Sequence, residues 1–309
     1  MSVRTIGIVG GGTIGASWAA FYLARGFEVV VTDPSPEVED SARRYVAGAW
    51  PALEQLGMVM AGATPDRLHF ERDLRSALAG VDFVQENGPE REALKIELFA
   101  RMDEVLPAEV IIASSSSGLL MSRVQSGCRH PERCVTGHPF NPPHLIPLVE
   151  VVGGERTSAE TIERAVNFYR DVGKRPIRLR KEVPGHVANR LQAALWREAI
   201  HLVAEGVASV ADVDAAVTYG PGLRWPIFGP HMTFHLGGGP GGMEHFLAHL
   251  LGPFESFWED LGHPRMTPEL QRKVVDGVRE EAGDLSPEIL SEIRDRRLIA
   301  VLRALEAAR

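Results

Sequence analysis

The sequence has few cysteines and no long hydrophobic segment. Two of its 309 residues are cysteine, which excludes a disulfide-stabilised secreted scaffold. Cys128 and Cys134 flank His130, but their spacing differs from that of zinc ligands, and we expect no bound metal. No apolar run is as long as a membrane span, and the N-terminal residues lead directly into a predicted strand without a signal peptide. These absences predict a cytoplasmic protein that does not enter a membrane.

Positive charge is also scarce. The chain has 33 lysines and arginines against 41 aspartates and glutamates, which gives a formal net charge of -8. Nucleic acids and anionic membrane surfaces bind basic patches, so neither is expected as a partner. A small molecule is the expected ligand.

Short apolar runs alternate with amphipathic stretches in the first third of the chain. Strands are predicted over residues 5–9, 29–31, 81–84 and 110–113, with helices over 17–25 and 91–105 between them. Further strands are predicted at 134–136, 148–152 and 177–179, and the pattern becomes helical after Pro184 and Gly185. The last helix is expected to begin at Ser286, a capping serine followed by Pro287. The pattern predicts an α/β, Rossmann-type doubly wound sheet over residues 1–183, followed by a smaller all-α domain over residues 184–309.

A glycine-rich motif joins the first predicted strand to the first helix. Residues 10–15 read GGGTIG, in which Gly10, Gly12 and Gly15 stand at the spacing of dinucleotide-binding turns and Thr13 and Ile14 complete the motif. Such a turn places the pyrophosphate at the N-terminus of the helix, where free N–H groups favour an anion. Asp33 ends the second strand, where a carboxylate accepts hydrogen bonds from the adenosine ribose and repels a 2′-phosphate. The residues that follow, 34–36 (PSP), offer no arginine to receive such a phosphate, and these features together predict NAD rather than NADP as the cofactor.

Polar residues end or follow the later strands of the predicted sheet. Four serines, residues 114–117, come directly after the fourth strand, at the edge where open α/β sheets bind ligands. His138 ends another strand, and Glu150 lies within the apolar strand that follows. A buried glutamate is costly unless it is paired, and a short connection could bring it against the histidine ring. The two residues therefore predict a general base and the carboxylate that orients it.

These motifs resemble the 3-hydroxyacyl-CoA dehydrogenase family. The resemblance lies in the segments 138–142 (HPFNP), 149–151 (VEV) and 185–191 (GHVANRL), together with a serine after the fourth strand. It implies a hydride-transferring enzyme whose helical domain binds substrate and forms a homodimer. By position, it implies the catalytic residues Ser117, His138, Glu150 and Asn189, and the cofactor contacts Asp33, Glu90, Lys95, Ser115 and Asn141. His186 departs from the family pattern, which has phenylalanine there, and would add a polar group near the site.

Within the family, the segments 114–117 (SSSS), 138–143 (HPFNPP), 146–150 (IPLVE) and 222–225 (GLRW) resemble the lambda-crystallin branch, whose enzymes act on free 3-hydroxy acids such as L-carnitine and L-gulonate. The segment after the second strand points the same way, because residues 35–60 carry only two arginines among four acidic residues and would repel the phosphates of CoA. A free acid needs a partner for its carboxylate, and Arg224 is the candidate. His235 is expected to line the substrate pocket. Its spacing from His231 suits a metal, but no acid accompanies the pair, and we expect none.

The sequence therefore predicts an NAD-dependent dehydrogenase that oxidises the 3-hydroxyl group of a small 3-hydroxy acid. A 3-hydroxyacyl-CoA dehydrogenase acting on the thioester is one alternative. A non-catalytic NAD-binding protein with a structural or sensory role is another, and the set of Ser117, His138, Glu150 and Asn189 argues against it.

Overall fold

The computed structural model describes residues 3–308, which divide into two compact units at Asn189 and Arg190. The sequence-based domain boundary at residue 183 lies a few residues before this division. Each unit has its own architecture.

The first unit is built on one eight-stranded, mostly parallel sheet, which confirms the predicted Rossmann-type fold. Its strands lie side by side in the order β3-β2-β1-β4-β5-β6-β7-β8. The first six are parallel, β7 runs antiparallel to β6, and β8 is parallel to β7. The bounds are β1 Thr5–Val9, β2 Glu28–Thr32, β3 Leu68–Phe70, β4 Phe83–Glu86, β5 Ile111–Ser114, β6 Cys134–Pro139, β7 Leu148–Gly153 and β8 Arg175–Arg178.

Helices connect these strands. They are α1 Thr13–Ala24, α2 Val38–Gln55, α3 Leu74–Ala77, α4 Glu92–Val105, α5 Met121–Val124 and α6 Ala159–Asp171. The first helix begins four residues before the predicted residue 17, directly after the glycine turn, because the turn itself feeds the helix. Side chains cap two others, since Asp73 accepts the Ser76 N–H before α3 and Ser158 accepts the Thr161 N–H before α6.

Alternate residues of the strands pack into two hydrophobic clusters, as expected for a sheet covered on both faces. One cluster contains Ile6 and Ile8 with the aromatic side chains of α1, of which Trp18 is fully buried. The other contains Val9 with Phe99 of α4. Because both faces of the sheet are covered, the ends of its strands are the part that a ligand can reach. The reversal of strand order at β1 and β4 marks the point where ligands bind such sheets.

The second unit is helical. Its helices are α7 Ala188–Ala204, whose first residues belong to the first unit, α8 Val210–Tyr219, α9 Pro230–Gly237, α10 Gly242–Asp260, α11 Pro268–Ala282 and α12 Pro287–Ala307. The predicted cap of α12 is confirmed, because the Ser286 side chain accepts the N–H of Ile289 and Pro287 occupies the first helical position. Among residues 3–308, no helix combines the length and the hydrophobicity needed to cross a membrane.

Candidate active site

The glycine turn after β1 has the backbone that a dinucleotide site needs. Gly10 has φ +93°, and a Cβ there would lie 2.8 Å from the Asn87 backbone. A Cβ on Gly15 would lie 1.9 Å from the carbonyl oxygen of Gly10, so only glycine lets α1 start this close to β1. Gly12 is exposed, and a Cβ there would meet nothing within 4 Å. The backbone at Gly12 is therefore open to a phosphate, which fits the predicted NAD site.

Asp33 lies at the carboxyl end of β2, beside this turn. Its carboxylate accepts the N–H of Gly11 at 2.9 Å and the N–H of Ser35 at 2.9 Å. A carboxylate has about four acceptor positions, so roughly two stay available for ribose hydroxyls. A small cleft beside Asp33 is also lined by Phe70 and Arg72. The sequence analysis found no arginine beside Asp33 and missed Arg72, which follows β3 far along the chain and places a cation at the same cleft.

His138 and Glu150 form a buried pair across the antiparallel strands β6 and β7. The two residues are register partners, and His138 Nδ1 lies 2.9 Å from Glu150 Oε2. His138 is 5% exposed and Glu150 is 0% exposed. The pairing expected from the sequence is thus present in the structure. With Nδ1 engaged by the carboxylate, Nε2 is the nitrogen that can take a proton.

The other oxygen of Glu150 is also bound. Oε1 accepts the N–H of Val187 at 2.9 Å and the N–H of Ala188 at 3.0 Å, at the start of α7. Burial would raise the pKa of Glu150, but the hydrogen bond with His138 and the two backbone N–H groups outweigh it and lower the pKa below its ordinary value. Glu150 is therefore ionised at neutral pH and favours a proton on His138 Nδ1.

Two of the four serines at residues 114–117, of which Ser114 ends β5, donate to carboxylates, one buried and one exposed. Ser114 donates to Glu86 at 2.6 Å, and Ser116 donates to Glu90 at 2.6 Å. Burial opposes ionisation of Glu90, yet hydrogen bonds from the Ser116 hydroxyl and the Gly118 N–H hold the pKa of Glu90 below its usual value. The hydroxyl groups of Ser114 and Ser116 are therefore already bound within the protein.

The remaining two serines differ from each other. The Ser115 hydroxyl donates to Asn87 at 2.7 Å and accepts from the side chains of Gln85 and Trp18. Ser117 is exposed, and its hydroxyl has no hydrogen-bond partner among the residues that the structure describes. Of the two, Ser117 has the hydroxyl that is available to a ligand. The predicted roles of both stay predictions.

Lys95 belongs to a charge cluster that the sequence analysis missed. Its ammonium lies 2.6 Å from Glu86 Oε1 and donates to the Gly88 carbonyl at 3.0 Å, and it is 3.9 Å from Glu90. Lys95 is 1% exposed and Glu86 is 0% exposed. The signal in the sequence was Glu86 itself, a glutamate at the end of the apolar strand β4, which needs a partner when buried. Lys95 therefore neutralises Glu86, and its predicted contact with the cofactor stays untested.

His186 lies against the pair of His138 and Glu150. Its ring centroid is 5.1 Å from that of His138, and its Nε2 lies 3.1 Å from the Ser116 carbonyl oxygen. His186 is 2% exposed. The polar group that the sequence predicted near the site is thus present in the first unit.

Asn189, in the first turn of α7, is half-buried, and Asn141, after β6, is exposed.

The two predicted substrate residues lie in the second unit. Arg224 is exposed and follows a single helical turn over residues 221–223. His235 Nδ1 accepts the N–H of Met243 at 3.1 Å near the start of α10, which gives His235 a structural role in this unit. No group of three or more potential metal ligands occurs among residues 3–308.

Comparison with known families gives two matches that cover most of the chain. The NAD-binding domain of 3-hydroxyacyl-CoA dehydrogenase matches residues 5–183, and the C-terminal domain of the same enzyme matches residues 185–279. The first match and the open glycine turn agree on NAD as the cofactor.

Similar proteins include several dehydrogenases. L-carnitine dehydrogenase of Nocardiopsis dassonvillei is 51% identical over 306 residues, which cover 99% of this chain and 92% of that protein. L-carnitine dehydrogenase of Pseudomonas putida is 45% identical over 99% of this chain and 95% of that protein. Among solved structures, 5-formyl-3-hydroxy-2-methylpyridine 4-carboxylic acid 5-dehydrogenase, an NAD-dependent dismutase, is 31% identical, with a TM-score of 0.85 and 99% of each chain covered.

Proposed function

The chain belongs to the 3-hydroxyacyl-CoA dehydrogenase family, and from that premise we propose that it oxidises the 3-hydroxyl group of L-carnitine. The enzyme class and the cofactor follow from the family and its relatives: it is an NAD-dependent dehydrogenase of a 3-hydroxy acid. The substrate rests on the names of relatives that are 45–51% identical. The observation that carries the chemistry is the buried pair of His138 and Glu150.

In this proposal, His138 is the general base. Its Nε2 removes the proton of the 3-hydroxyl group, and the oxygen forms a carbonyl as C3 loses hydride. The glycine turn after β1 and Asp33 would hold NAD, whose nicotinamide ring would supply the acceptor for that hydride. The remaining proton stays on His138 until solvent removes it, so charge and atoms balance over the turnover.

Glu150 is proposed to position the base. An ionised Glu150 accepts from His138 Nδ1, keeps Nε2 unprotonated and stabilises the imidazolium that forms. Ser117, whose hydroxyl has no protein partner among residues 3–308, and Asn189 are proposed to donate hydrogen bonds to the substrate oxygen. Gly10, Gly12, Thr13, Ile14, Gly15, Asp33, Glu90, Lys95, Ser115 and Asn141 are proposed to hold the cofactor.

A free acid is favoured over a CoA thioester by the charges of α2. Arg43 is one of only two basic residues in segment 35–60, and it is 2.9 Å from Glu39 in an exposed ion pair. Its charge is therefore already balanced, which leaves little to attract the phosphates of CoA.

We propose that Arg224 binds the carboxylate of the acid, because a guanidinium can donate two parallel hydrogen bonds to it. Trp225 and Phe228 lie in the same loop, with 39% and 44% of their surface exposed. Exposed aromatic faces attract a quaternary ammonium through cation–π contacts, which suits L-carnitine better than L-gulonate. His235 is proposed as a further residue of the substrate pocket.

The protein is further proposed to be a cytoplasmic homodimer. Large apolar side chains are exposed on helices of the second unit, including Trp196, Phe257 and Trp258, each 60% exposed. Exposed apolar side chains of this size are typical of surfaces that bind another protein. Size-exclusion chromatography with light scattering measures the mass directly, and a monomer at micromolar concentration would contradict the dimer.

A substrate panel tests the proposed function. NADH formation is measured with L-carnitine, D-carnitine, L-gulonate and 3-hydroxybutyrate, and NADH consumption with acetoacetyl-CoA. We expect the highest kcat/KM with L-carnitine, and lower values with 3-hydroxybutyrate because it lacks the ammonium group. Preferred turnover of acetoacetyl-CoA would establish the thioester alternative. NADH binding without turnover of any compound would favour the non-catalytic alternative.

A further inference from the structure

Arg72 lies beside Asp33 at the edge of the sheet, although the two residues are far apart in the chain. The strands β2 and β3 are parallel, and Val31 and Phe70 are the last pair of their register. The pairing continues past the strand ends, because the Thr32 hydroxyl donates to the Arg72 carbonyl at 3.4 Å. Asp33 and Arg72 each follow that last pair by two residues, and residues two apart in an extended chain point to the same face. Both side chains accordingly line the same small cleft.

The acidic side chains of this cleft already have partners. The charged residues that line it are Asp33, Glu39, Glu71 and Arg72. Asp33 is bound by two backbone N–H groups, and Glu39 lies 2.9 Å from Arg43. Glu71 accepts the N–H of Asp73 at 2.9 Å. Arg72 differs, because it is exposed and its guanidinium has no hydrogen bond or ion pair with any residue in the described range 3–308. The positive charge of the cleft is therefore available to an anionic ligand.

The position of this guanidinium suits one particular group of a dinucleotide. Asp33 is proposed to accept hydrogen bonds from the adenosine ribose, and the 2′-oxygen of that ribose carries the phosphate that distinguishes NADP from NAD. A guanidinium presents its N–H donors in a planar fork and binds two phosphate oxygens at once. The same cation gains less from a neutral hydroxyl group, because hydrogen bonds between charged groups are the stronger ones. Arg72 therefore favours the 2′-phosphate that Asp33 repels.

We propose that Arg72 binds a phosphate on the 2′-position of the adenosine ribose and so opposes Asp33 in the choice of cofactor. Asp33 sets the preference for NAD, and Arg72 makes the exclusion of NADP incomplete. The class of ligand that Arg72 recognises is a 2′-phosphorylated adenine nucleotide. The inference rests on the proposed contact of Asp33 with the ribose and is independent of the identity of the acid substrate.

Substitutions of Arg72 test this role without disturbing the hydrophobic core, because the side chain is exposed. Arg72→Gln removes the charge, and Arg72→Lys keeps the charge but lacks the planar fork. Arg75→Gln is the matched control, since Arg75 is exposed in α3, three residues further along the chain, and does not line the cleft. The control measures the effect of losing one positive charge near the cleft without losing a contact inside it.

The experiment compares NADH with NADPH, two ligands that differ only in the 2′-phosphate. Dissociation constants are measured by nicotinamide fluorescence, and the ratio of the NADPH constant to the NADH constant reports the effect of that phosphate. Arg72→Gln should raise this ratio by roughly 12- to 160-fold, the range for one hydrogen bond to a charged group, with the NADH constant unchanged. Arg72→Lys should give an intermediate ratio, and Arg75→Gln should keep the wild-type ratio. A purely structural arginine would move both constants together and leave the ratio as it is.

The same series in an Asp33→Asn background separates the two residues. Without the carboxylate charge, NADPH should bind more tightly than it binds to the wild type, and adding Arg72→Gln should reverse that gain. A ratio that Arg72→Gln leaves unchanged in both backgrounds, or that Arg75→Gln raises by as much, would overturn the proposal. A wild-type protein that binds neither nucleotide would refute NAD binding and this proposal with it. Because neither titration contains the acid, failure of L-carnitine as the substrate leaves the result intact.

Discussion

Replacing Glu150 with glutamine tests the proposed mechanism most directly, because it removes one charge and keeps the shape of the side chain. Glu150 is 0% exposed and accepts three hydrogen bonds, from His138 through Oε2 and from the Val187 and Ala188 N–H groups through Oε1. The surrounding residues therefore determine how the new amide must lie.

The amide oxygen that Glu150→Gln introduces has to face the two backbone N–H groups. The opposite orientation would point an NH2 group at two donors and leave all of them unpaired. The NH2 group then faces His138 and donates to Nδ1. A neutral imidazole that accepts at Nδ1 carries its proton on Nε2, so the proposed base is blocked. We expect kcat to fall by about 10²- to 10⁴-fold, the range for losing a general base.

The assay measures initial rates of NADH formation at saturating L-carnitine and NAD, with NADH affinity measured separately by fluorescence. Glu28→Gln is the matched control. Glu28 Oε2 lies 3.0 Å from His69 Nε2, much like the distance between Glu150 and His138, but both side chains are exposed, at 43% and 57%. The control should keep wild-type kcat, because an exposed pair contributes little.

The measured rates decide between a catalytic and a structural glutamate. If Glu150→Gln folds, binds NADH normally and keeps kcat within about threefold of the wild type, Glu150 does not set the tautomer of the base. Weaker NADH binding with an unchanged rate at saturation would place its effect in the cofactor site. Either result would refute the proposed orientation of His138.

Four further outcomes are expected. His138→Gln should keep NADH affinity in fluorescence titrations while kcat falls by about 10²- to 10⁴-fold. Because Asp33 repels a 2′-phosphate, kcat/KM should favour NAD over NADP by roughly tenfold or more. Arg224→Met should raise KM for L-carnitine, by an amount consistent with losing about 1.5–3 kcal/mol, with KM for NAD unchanged. Burial lowers the pKa of Lys174 to about 7, so between about pH 7 and 10 the unfolded chain binds a proton that the folded chain lacks, and stability rises with pH. Urea unfolding of Lys174→Met should show a smaller rise than the wild type or the exposed-site control Lys181→Met.

The fold could be predicted because its main signals are local. Most buried strands are continuous apolar runs, and the glycine turn marks the first crossover. The edge strand β3, Leu68–Phe70, was not predicted. It has three residues, and its central His69 is exposed, so neither length nor periodicity distinguishes it from a loop.

The chemistry of the site was more predictable than its electrostatics. Motifs indicated His138 and Glu150, whose residue types suit proton transfer. The buried pair of Glu86 and Lys95 was not recognised, because its partners come from a strand and the following helix and share no motif. The sequence placed His186 near the site but could not show that its Nδ1 lacks a partner among the described residues. Whether a buried polar atom has a hydrogen-bond partner depends on all the residues around it, and these come from separate parts of the chain.

The pairing of His138 with Glu150 shows why the geometry of the site could not be predicted from the sequence alone. A slip of one residue between β6 and β7 would turn Glu150 to the opposite face of the sheet, away from the imidazole. The connection over residues 140–147 is too long for a two-residue hairpin turn to set the register. The Lys174 side chain donates to the carbonyl oxygens of Pro143 and Ile146, so the connection also contacts a distant part of the chain. Local motifs thus indicate the residue types of the proposed base and its carboxylate, whereas their alignment depends on the pairing of β6 with β7.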